Sequence, residues 1–470
     1  MRKVLLVNPN SETAPYPVAP VGLCLVAASL EGRHAVRVFD ATFDGPGELR
    51  RVLGEFGPHC VGIGIRNIDN VTMGGERYYI DAIKRDYVAV IRAESKAPIV
   101  IGGSGYNLFP ELLLTTLGAD FGVVGEGERS FGLLVDALEA GTDPSKIPGV
   151  VAAGKTAGCA VRPARSRGAL ELPASTVDAF IPFEPYRARG AYPIQTKRGC
   201  HLRCVYCAYP VIEGRTYRLR SPSSIVDEIE AAAARLGQVV FEFVDSTFNA
   251  PADHAEAICR EIIGRGLKIR LRSMGVNPGA VTERLLDLMK AAGFVQIVCS
   301  ADTASPVMLL HLDKGFTREK LKSVAGMLRK RDMPTMWSFI FGGPGETAET
   351  IGESLDFIDR FVCELDMVHM TEGIRIYPQT PIHALAVEEG LIAETDDLLR
   401  PVFYVSQRLG RTRLGELVRR ASETRPNCIR NIDSSPTPDM LRRAAALRRE
   451  QHLDEPMFRT LLRLRRHPPA

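Results

Sequence analysis

Arg198-Gly199-Cys200-His201-Leu202-Arg203-Cys204-Val205-Tyr206-Cys207 sets three cysteines on one short loop at the spacing C-x3-C-x2-C. Thiolates are soft ligands that select zinc or iron–sulfur clusters, and either kind of site is normally closed by four of them. The nearest further cysteines are Cys159 and Cys259, neither within the loop. A [4Fe–4S] cluster on three thiolates keeps one iron open for a small-molecule ligand, which is a catalytic arrangement. A zinc site is the alternative reading of the same residues.

The pattern around this loop sets the fold. The loop follows a predicted strand at 192–196 and precedes a helix at 223–234. Strands at 239–244, 268–272, 295–299, 335–341 and 366–376 then alternate with helices at 252–264, 281–291, 317–331 and 348–362. Six strand–helix steps over roughly 200 residues suit a partial barrel, since a closed eight-step barrel takes about 250. The strand ends are polar or glycine-rich: Asp245-Ser246-Thr247-Phe248-Asn249, Ser300-Ala301-Asp302-Thr303 and Gly342-Gly343-Pro344-Gly345-Glu346. Barrel active sites lie at these carboxyl ends, so the cysteines are expected at the barrel mouth.

Upstream, strands at 3–8, 35–39, 60–65, 98–101 and 121–124 alternate with helices at 21–30, 80–94 and 110–117. That spacing implies a parallel, doubly wound sheet, whose ligands bind beyond the carboxyl ends of the strands. Those ends read Asn8-Pro9-Asn10, Arg66-Asn67-Ile68-Asp69-Asn70, Gly102-Gly103-Ser104-Gly105 and Gly125-Glu126-Gly127-Glu128. Each alone is ordinary turn chemistry; four on one edge suit a ligand with a large polar periphery. Arg66 either faces that ligand or the substrate, or pairs with Asp69 or another acid. Residues 144–190 read as a linker, and the arginine-rich stretch from 400 onward as helices packed on the barrel, with a basic face for an anionic partner as the sharper alternative.

At 470 residues the chain is expected to form about two to four domains. A net charge of +3 gives no support for a nucleic-acid partner. Ten cysteines without a leader pattern fit free thiols in a reducing cytoplasm. No apolar run approaches the ~20 residues of a membrane span.

A C-x3-C-x-aromatic-C loop after the first strand of a β/α barrel resembles the signature of the radical S-adenosylmethionine (SAM) superfamily. The resemblance implies that Cys200, Cys204 and Cys207 hold a [4Fe–4S] cluster whose open iron takes the amino and carboxylate groups of SAM. Reductive cleavage of SAM would then give a 5′-deoxyadenosyl radical, with electrons from a donor such as flavodoxin or ferredoxin. Asp245 and Ser246 stand where the family carries two acids, and Ser300 and Asp302 lie in a turn shifted from its "G-x-E-S". Gly342-Gly343-Pro344-Gly345-Glu346-Thr347 matches "G-x-P-G-E-T", and Arg375-Ile376-Tyr377-Pro378-Gln379-Thr380-Pro381 resembles a closing segment with Gln379 for glycine. By resemblance Tyr206, Asp245, Ser246, Ser300, Asp302, Gly342, Gly343, Pro344, Gly345 and Glu346 are SAM contacts.

Residues 1–135 are similar to the cobalamin-binding-type Rossmann domain that precedes the barrel in one branch of the superfamily. The resemblance implies cobalamin contacts at Asn8, Pro9, Asn10, Arg66, Asn67, Gly102, Gly103, Ser104, Gly125, Glu126, Gly127 and Glu128. The histidine motif D-x-H-x-x-G is missing, and Asp40-Ala41-Thr42 mimics its spacing with threonine in the histidine's place. The expected architecture is an α/β chain: a Rossmann-like doubly wound parallel sheet (1–143), a linker (144–190), a partial (β/α)6 radical SAM barrel (191–399) and a helical C-terminal extension (400–470). The implied function is methylation of an unactivated carbon of a small molecule. Cyclisation, rearrangement and methylthiolation are the alternatives within the superfamily, and a non-catalytic iron–sulfur or cobalamin-binding protein is the alternative outside it. Methylthiolation is disfavoured because Cys24 and Cys60 are the only cysteines in the first domain.

Overall fold

The computed structural model describes residues 1–13, 15–154, 163–166, 168–173, 177–187 and 189–466; Cys159 lies outside them. Strand β1 (Lys3–Asn8) is a nearly continuous apolar run, buried from its second residue on, as a central parallel strand requires. With β2 (Ala35–Asp40), β3 (Cys60–Gly64), β4 (Ile99–Gly102), β5 (Phe121–Val123) and β6 (Val150–Ala152) it forms a sheet of order β2-β1-β3-β4-β5-β6 among the described residues. All neighbours are parallel except β6, which runs antiparallel to β5. The order reverses between β1 and β3, which places the switch point beside Asn8 and Gly64.

The stretch expected to be a linker thus supplies β6 and, at Ala164, a bridge to Gly125. A three-residue edge strand carries too little pattern to be seen in sequence. The predicted helix over 80–94 is present, with a π-helical turn from Ile83 to Val88.

The second sheet contains β7 (Tyr192–Ile194), β8 (Val240–Phe243), β9 (Arg270–Val276), β10 (Phe294–Asp302), β11 (Thr335–Phe341), β12 (Met367–Glu372) and β13 (Cys428–Arg430). They lie in chain order and all pair in parallel. Six strands were expected; the seventh, β13, comes from the C-terminal extension and pairs Val368 with Cys428. Burial alternates strictly along β11, where Trp337, Phe339 and Phe341 face the helices and Met336, Ser338 and Ile340 face the concave side. Trp337 meets Phe357 of the helix Ala348–Phe361 edge-on, ring centroids 6.1 Å apart. That helix starts in a capping box between Thr347 and Thr350.

The arginine-rich end packs as helices at Pro438–Glu450 and Met457–Arg466. Arg459 reaches Asp366 at 3.1 Å and Asp332 at 2.9 Å, both at the amino ends of barrel strands, so this segment closes the barrel's lower rim. Arg425, Arg463 and Arg466 pair with Asp359, Glu455 and Glu364.

Two sets of buried charges join the halves. Arg375, after β12, meets Asp69, after β3, at 3.0 Å, with side chains 1% and 0% exposed. Arg198 meets Glu128 at 2.5 Å, and Arg218 binds Glu126. Removing one partner of a buried pair strands the other charge. Asp69→Ala is therefore expected to cost about 3–5 kcal/mol of stability. Glu423→Ala, which breaks an exposed Arg419–Glu423 pair, should leave the chemical-denaturation midpoint unchanged.

Candidate cluster and cofactor site

The cysteine loop is held by its neighbours before any metal is considered. Gly199 has φ of 90°, and a Cβ there would lie 2.1 Å from the carbonyl oxygen of Thr216, so only glycine fits. Its N–H donates to Glu213 at 2.9 Å, and the Cys200 N–H donates to Gly214 at 3.0 Å. Cys200 is buried, while Cys204 and Cys207 are partly exposed. Burial pushes the Cys207 thiol up to about 12 and the Cys204 thiol upward. Among the described residues no three Cys, His, Asp or Glu side chains converge on one point to hold a single ion. Three free thiols on one loop fit a [4Fe–4S] cluster that keeps one iron open.

Beside the cysteines lies a buried charged group. Lys314 pairs with Asp302, donates to Tyr206 Oη at 3.1 Å and lies 3.7 Å from Cys204 Sγ; Tyr206 donates to the same carboxylate. Asp302 sits at φ of 60° at the end of β10, so the bend of the strand aims it at the loop. Tyr206 and Asp302, each expected to contact SAM, are hydrogen-bonded to each other. Lys314, in the Asp313-Lys314-Gly315 turn, was not foreseen, because nothing local marks it.

The other expected SAM residues divide. Asp245 accepts from Thr196 N at 2.8 Å, Thr196 Oγ1 at 2.6 Å and Lys197 N at 3.2 Å, so its carboxylate shapes the start of the cysteine loop. Ser246 donates to the Gly199 carbonyl at 3.3 Å. Glu346 is fully buried and turns back onto its own loop, accepting from the N–H groups of Gly342 and Gly343. Its other oxygen has no partner, and burial raises its carboxyl from the ordinary 4.5 to about 7. Pro344 O contacts His311 Nδ1 at 2.8 Å, and Gly345 leaves room for that ring. Ser300 faces the concave side of the barrel.

On the first domain, a cavity of about 260 Å³ opens at the switch point, lined by Pro9, Asn10, Arg66, Asn67, Tyr79 and Tyr87 among others. Asn10 Nδ2 is buried there with no partner, and Arg66 carries no ion pair among the described residues. Enclosure by the surrounding protein lowers Arg66 from its ordinary value although it is reached by solvent, as befits a residue in a cleft. Asp69, the acid it could have paired with, is taken by Arg375. An orphan amide and an unpaired cation in a cavity at the switch point fit a polar cofactor such as cobalamin.

The remaining candidates are held by the protein itself. Asn8 is buried and donates to Asp40 at 2.7 Å and Thr42 at 3.3 Å, which takes up the Asp40-Ala41-Thr42 stretch as well. Gly102 and Gly103 end β4; at Gly103 a Cβ would meet Ile65 O at 2.6 Å, and Ser104 donates to Arg66 O. Gly125, at φ of 95°, lies against Ala164, and Gly127 begins a helix. Glu126 and Glu128 hold Arg218 and Arg198 rather than a ligand. Tyr209, two residues after Cys207, is 42% exposed.

Comparison with known proteins agrees with this layout. Residues 194–358 match the model of the radical SAM superfamily, and residues 8–135 match that of the B12-binding domain. The chain is a radical SAM protein with an N-terminal B12-binding domain. It is 28% identical to tryptophan 2-C-methyltransferase of Streptomyces laurentii over 80% of this chain and 73% of that one. An uncharacterised methyltransferase of Pyrococcus horikoshii is 27% identical over 83% of this chain and 84% of that one. The structure of the methyltransferase TsrM of Kitasatospora setae, with cobalamin and a [4Fe–4S] cluster bound, matches with a TM-score of 0.80 at 25% identity and covers 100% of both chains. A second TsrM structure, with tryptophan and a SAM analogue, gives 0.79 at 27% identity over 93% and 91%.

Replacing Cys200, Cys204 or Cys207 by alanine is expected to abolish retention of iron and sulfide in anaerobically purified protein. Cys259→Ala, on the buried face of the helix Ala252–Gly264, should leave both unchanged. For Glu346 the folded carboxyl holds its proton above the unfolded value, so its contribution to stability is complete below about 4.5 and lost as pH rises to about 7. Glu346→Gln should remove up to about 3 kcal/mol of that pH dependence, read from denaturation midpoints across the interval.

Proposed function

We propose that this protein is a cobalamin-dependent radical SAM methyltransferase that moves a methyl group from SAM to an unactivated carbon of a small molecule. The observation that carries this reading is the Arg198–Glu128 ion pair, which joins the cysteine loop to the carboxyl edge of the first sheet, the edge that also carries the switch-point cavity. When bound, the cluster supplies single electrons and the cobalamin a cobalt able to carry the methyl group. Cys200, Cys204 and Cys207 would hold the first; Asn10, Arg66 and Asn67 would hold the second, with no histidine among the cavity's lining residues to ligate cobalt.

The residues of the chain have separate tasks in this reading. Asp302 and Lys314 fix Tyr206 against the loop, and Glu346 holds the Gly342-Gly343 turn in shape through both backbone N–H groups. The Arg198–Glu128 and Arg218–Glu126 pairs keep the two cofactor sides in one register. A single-electron donor such as flavodoxin or ferredoxin belongs to the same proposal. So does a reducing cytoplasmic setting, supported by cysteines that are free throughout the described residues. Among those residues no helix is long and apolar enough to cross a membrane.

Tryptophan, the substrate named for the Streptomyces and Kitasatospora relatives, is the first acceptor to test. Anaerobic protein loaded with iron, sulfide and cobalamin, then given SAM, reductant and acceptor, should form S-adenosylhomocysteine and an acceptor heavier by one methylene unit. With a turned-over acceptor, 5′-deoxyadenosine in the absence of S-adenosylhomocysteine would rule out methyl transfer and point to cyclisation or rearrangement.

A further inference from the structure

The short helix Pro306–His311, which follows β10, is apolar on both sides. Met308 and Leu309 are buried, and so is Leu312 just beyond its end. On the other side Val307 is 46% exposed and Leu310 79%, with Pro306 and His311 exposed beside them. Val307 and Leu310 are three residues apart, so their side chains are neighbours on one face. Among the described residues Leu310 is the most exposed large apolar side chain after the N-terminal Met1. A single surface leucine is ordinary, but a helix that is apolar all round belongs in an interior. Half of this one faces water.

This face adjoins the cysteine loop. The Val205 N–H donates to Leu312 O at 3.2 Å, Arg203 pairs with Asp313 at 3.0 Å, and Lys314 Nζ lies 3.7 Å from Cys204 Sγ. The stretch of loop that meets the helix is basic at its surface. Arg203 is 75% exposed, and His201, also exposed, sets its ring edge-on to Tyr217 with centroids 4.7 Å apart. Arg215, two residues before Tyr217, is exposed and has no ion pair among the described residues. Along this strip two guanidiniums stand against the one carboxylate of Asp313. Glu213 turns inward instead and accepts the Gly199 N–H.

We propose that the outer face of Pro306–His311, with Arg203 and Arg215 at its edge, is the docking surface for an acidic single-electron carrier protein of the flavodoxin or ferredoxin kind. In the encounter the reduced flavin or iron–sulfur centre of the carrier loses one electron and the cluster on Cys200, Cys204 and Cys207 gains it, with no bond made or broken. Size and charge favour this occupant over a second copy of the chain. Redox encounters bury less than about 1,200 Å² in total, whereas stable dimers bury more, and two apolar side chains with a charged rim make a small patch. A basic rim steers an acidic partner and opposes an identical basic one. The patch also lies against the loop where the electron has to arrive. This inference rests on the cluster-bearing part of the reading above and adds the place where the donor binds.

The test uses anaerobic protein loaded with cluster and cobalamin, with a purified acidic flavodoxin and a [2Fe–2S] ferredoxin as probes at low ionic strength. At least one carrier should bind and, when reduced, bleach the cluster, and in excess it should protect residues 306–312 and 201–203 from hydrogen–deuterium exchange. Leu310→Asp should weaken binding at least about tenfold, because it removes an apolar contact and sets an acid against an acid. Arg215→Glu should weaken it several-fold and flatten its salt dependence. Ile263→Asp, at an exposed position on the barrel helix Ala252–Gly264, should change neither. Bleaching by dithionite, which needs no docking face, should be the same in every variant. Binding of neither carrier, protection only at other surfaces, or bleaching by the carrier that is absent or undiminished in Leu310→Asp overturns the proposal. So does a dimer of the parent chain that Leu310→Asp dissociates. Failure of the methyltransferase reading would show differently, as carrier-reduced protein that retains iron and sulfide yet forms no methylated product.

Discussion

The placement of the two halves depends on a charge that has nowhere else to go. Arg375 is almost fully buried, and its guanidinium is satisfied by Asp69 at 3.0 Å, the Ile376 carbonyl at 2.6 Å and the Leu398 carbonyl at 2.7 Å, while it stacks on Tyr377. Desolvating a guanidinium is tolerable only when its donors are filled and its charge is matched. Asp69 supplies the match from the other domain and in turn accepts the Val71 N–H at 2.9 Å. One ion pair thereby fixes the whole loop after β3. That loop carries Arg66 to the cavity and Thr72 to Asn431, just after β13, so the same contact sets the cavity side and ties it to the last strand of the barrel.

A second tie works at the other end of the cleft. Arg198 precedes the first cysteine by two residues, and its pairing with Glu128 joins the cysteine loop to the helix that follows β5. Glu126 adds Arg218, whose Nη2 also donates to the Glu213 carbonyl, and Glu213 in turn accepts from Gly199. The loop is held from both flanks by groups of opposite sign, so its backbone can be rigid before a cluster is bound.

Legibility in the sequence followed the range of the interaction. The cysteine spacing, the alternation of strands and helices and the Gly342-Gly343 turn are local, and each led to the element that is present. Asp245, Glu126, Glu128 and Glu346 were expected to touch a cofactor because they stand at strand ends, but each is engaged by the protein. Their partners at Thr196, Arg218 and Arg198, and the Gly342 backbone, follow from the folded path. From sequence, an acid at a strand end looks the same whether it meets a ligand or an arginine 70 residues away. The same limit hid β6 and β13, three residues each, which are strands only because a neighbour pairs with them.

The group beside the cysteines shows how such long-range pairing becomes chemistry. A lysine as buried as Lys314 would ordinarily give up its proton, yet Asp302 and the nearby cysteines raise its affinity for that proton against the effect of burial. Asp302 in turn is kept from carrying a lone buried charge. Once the pair is made, the ammonium has hydrogens left, and these lie toward Tyr206 and Cys204. Hydrogen bonds and positive charge near cluster sulfurs are among the factors that set the potential of an iron–sulfur centre. The ion pair that solves a packing problem thus also sets the electrostatic surroundings of the cysteine loop, and replacing either partner would alter both.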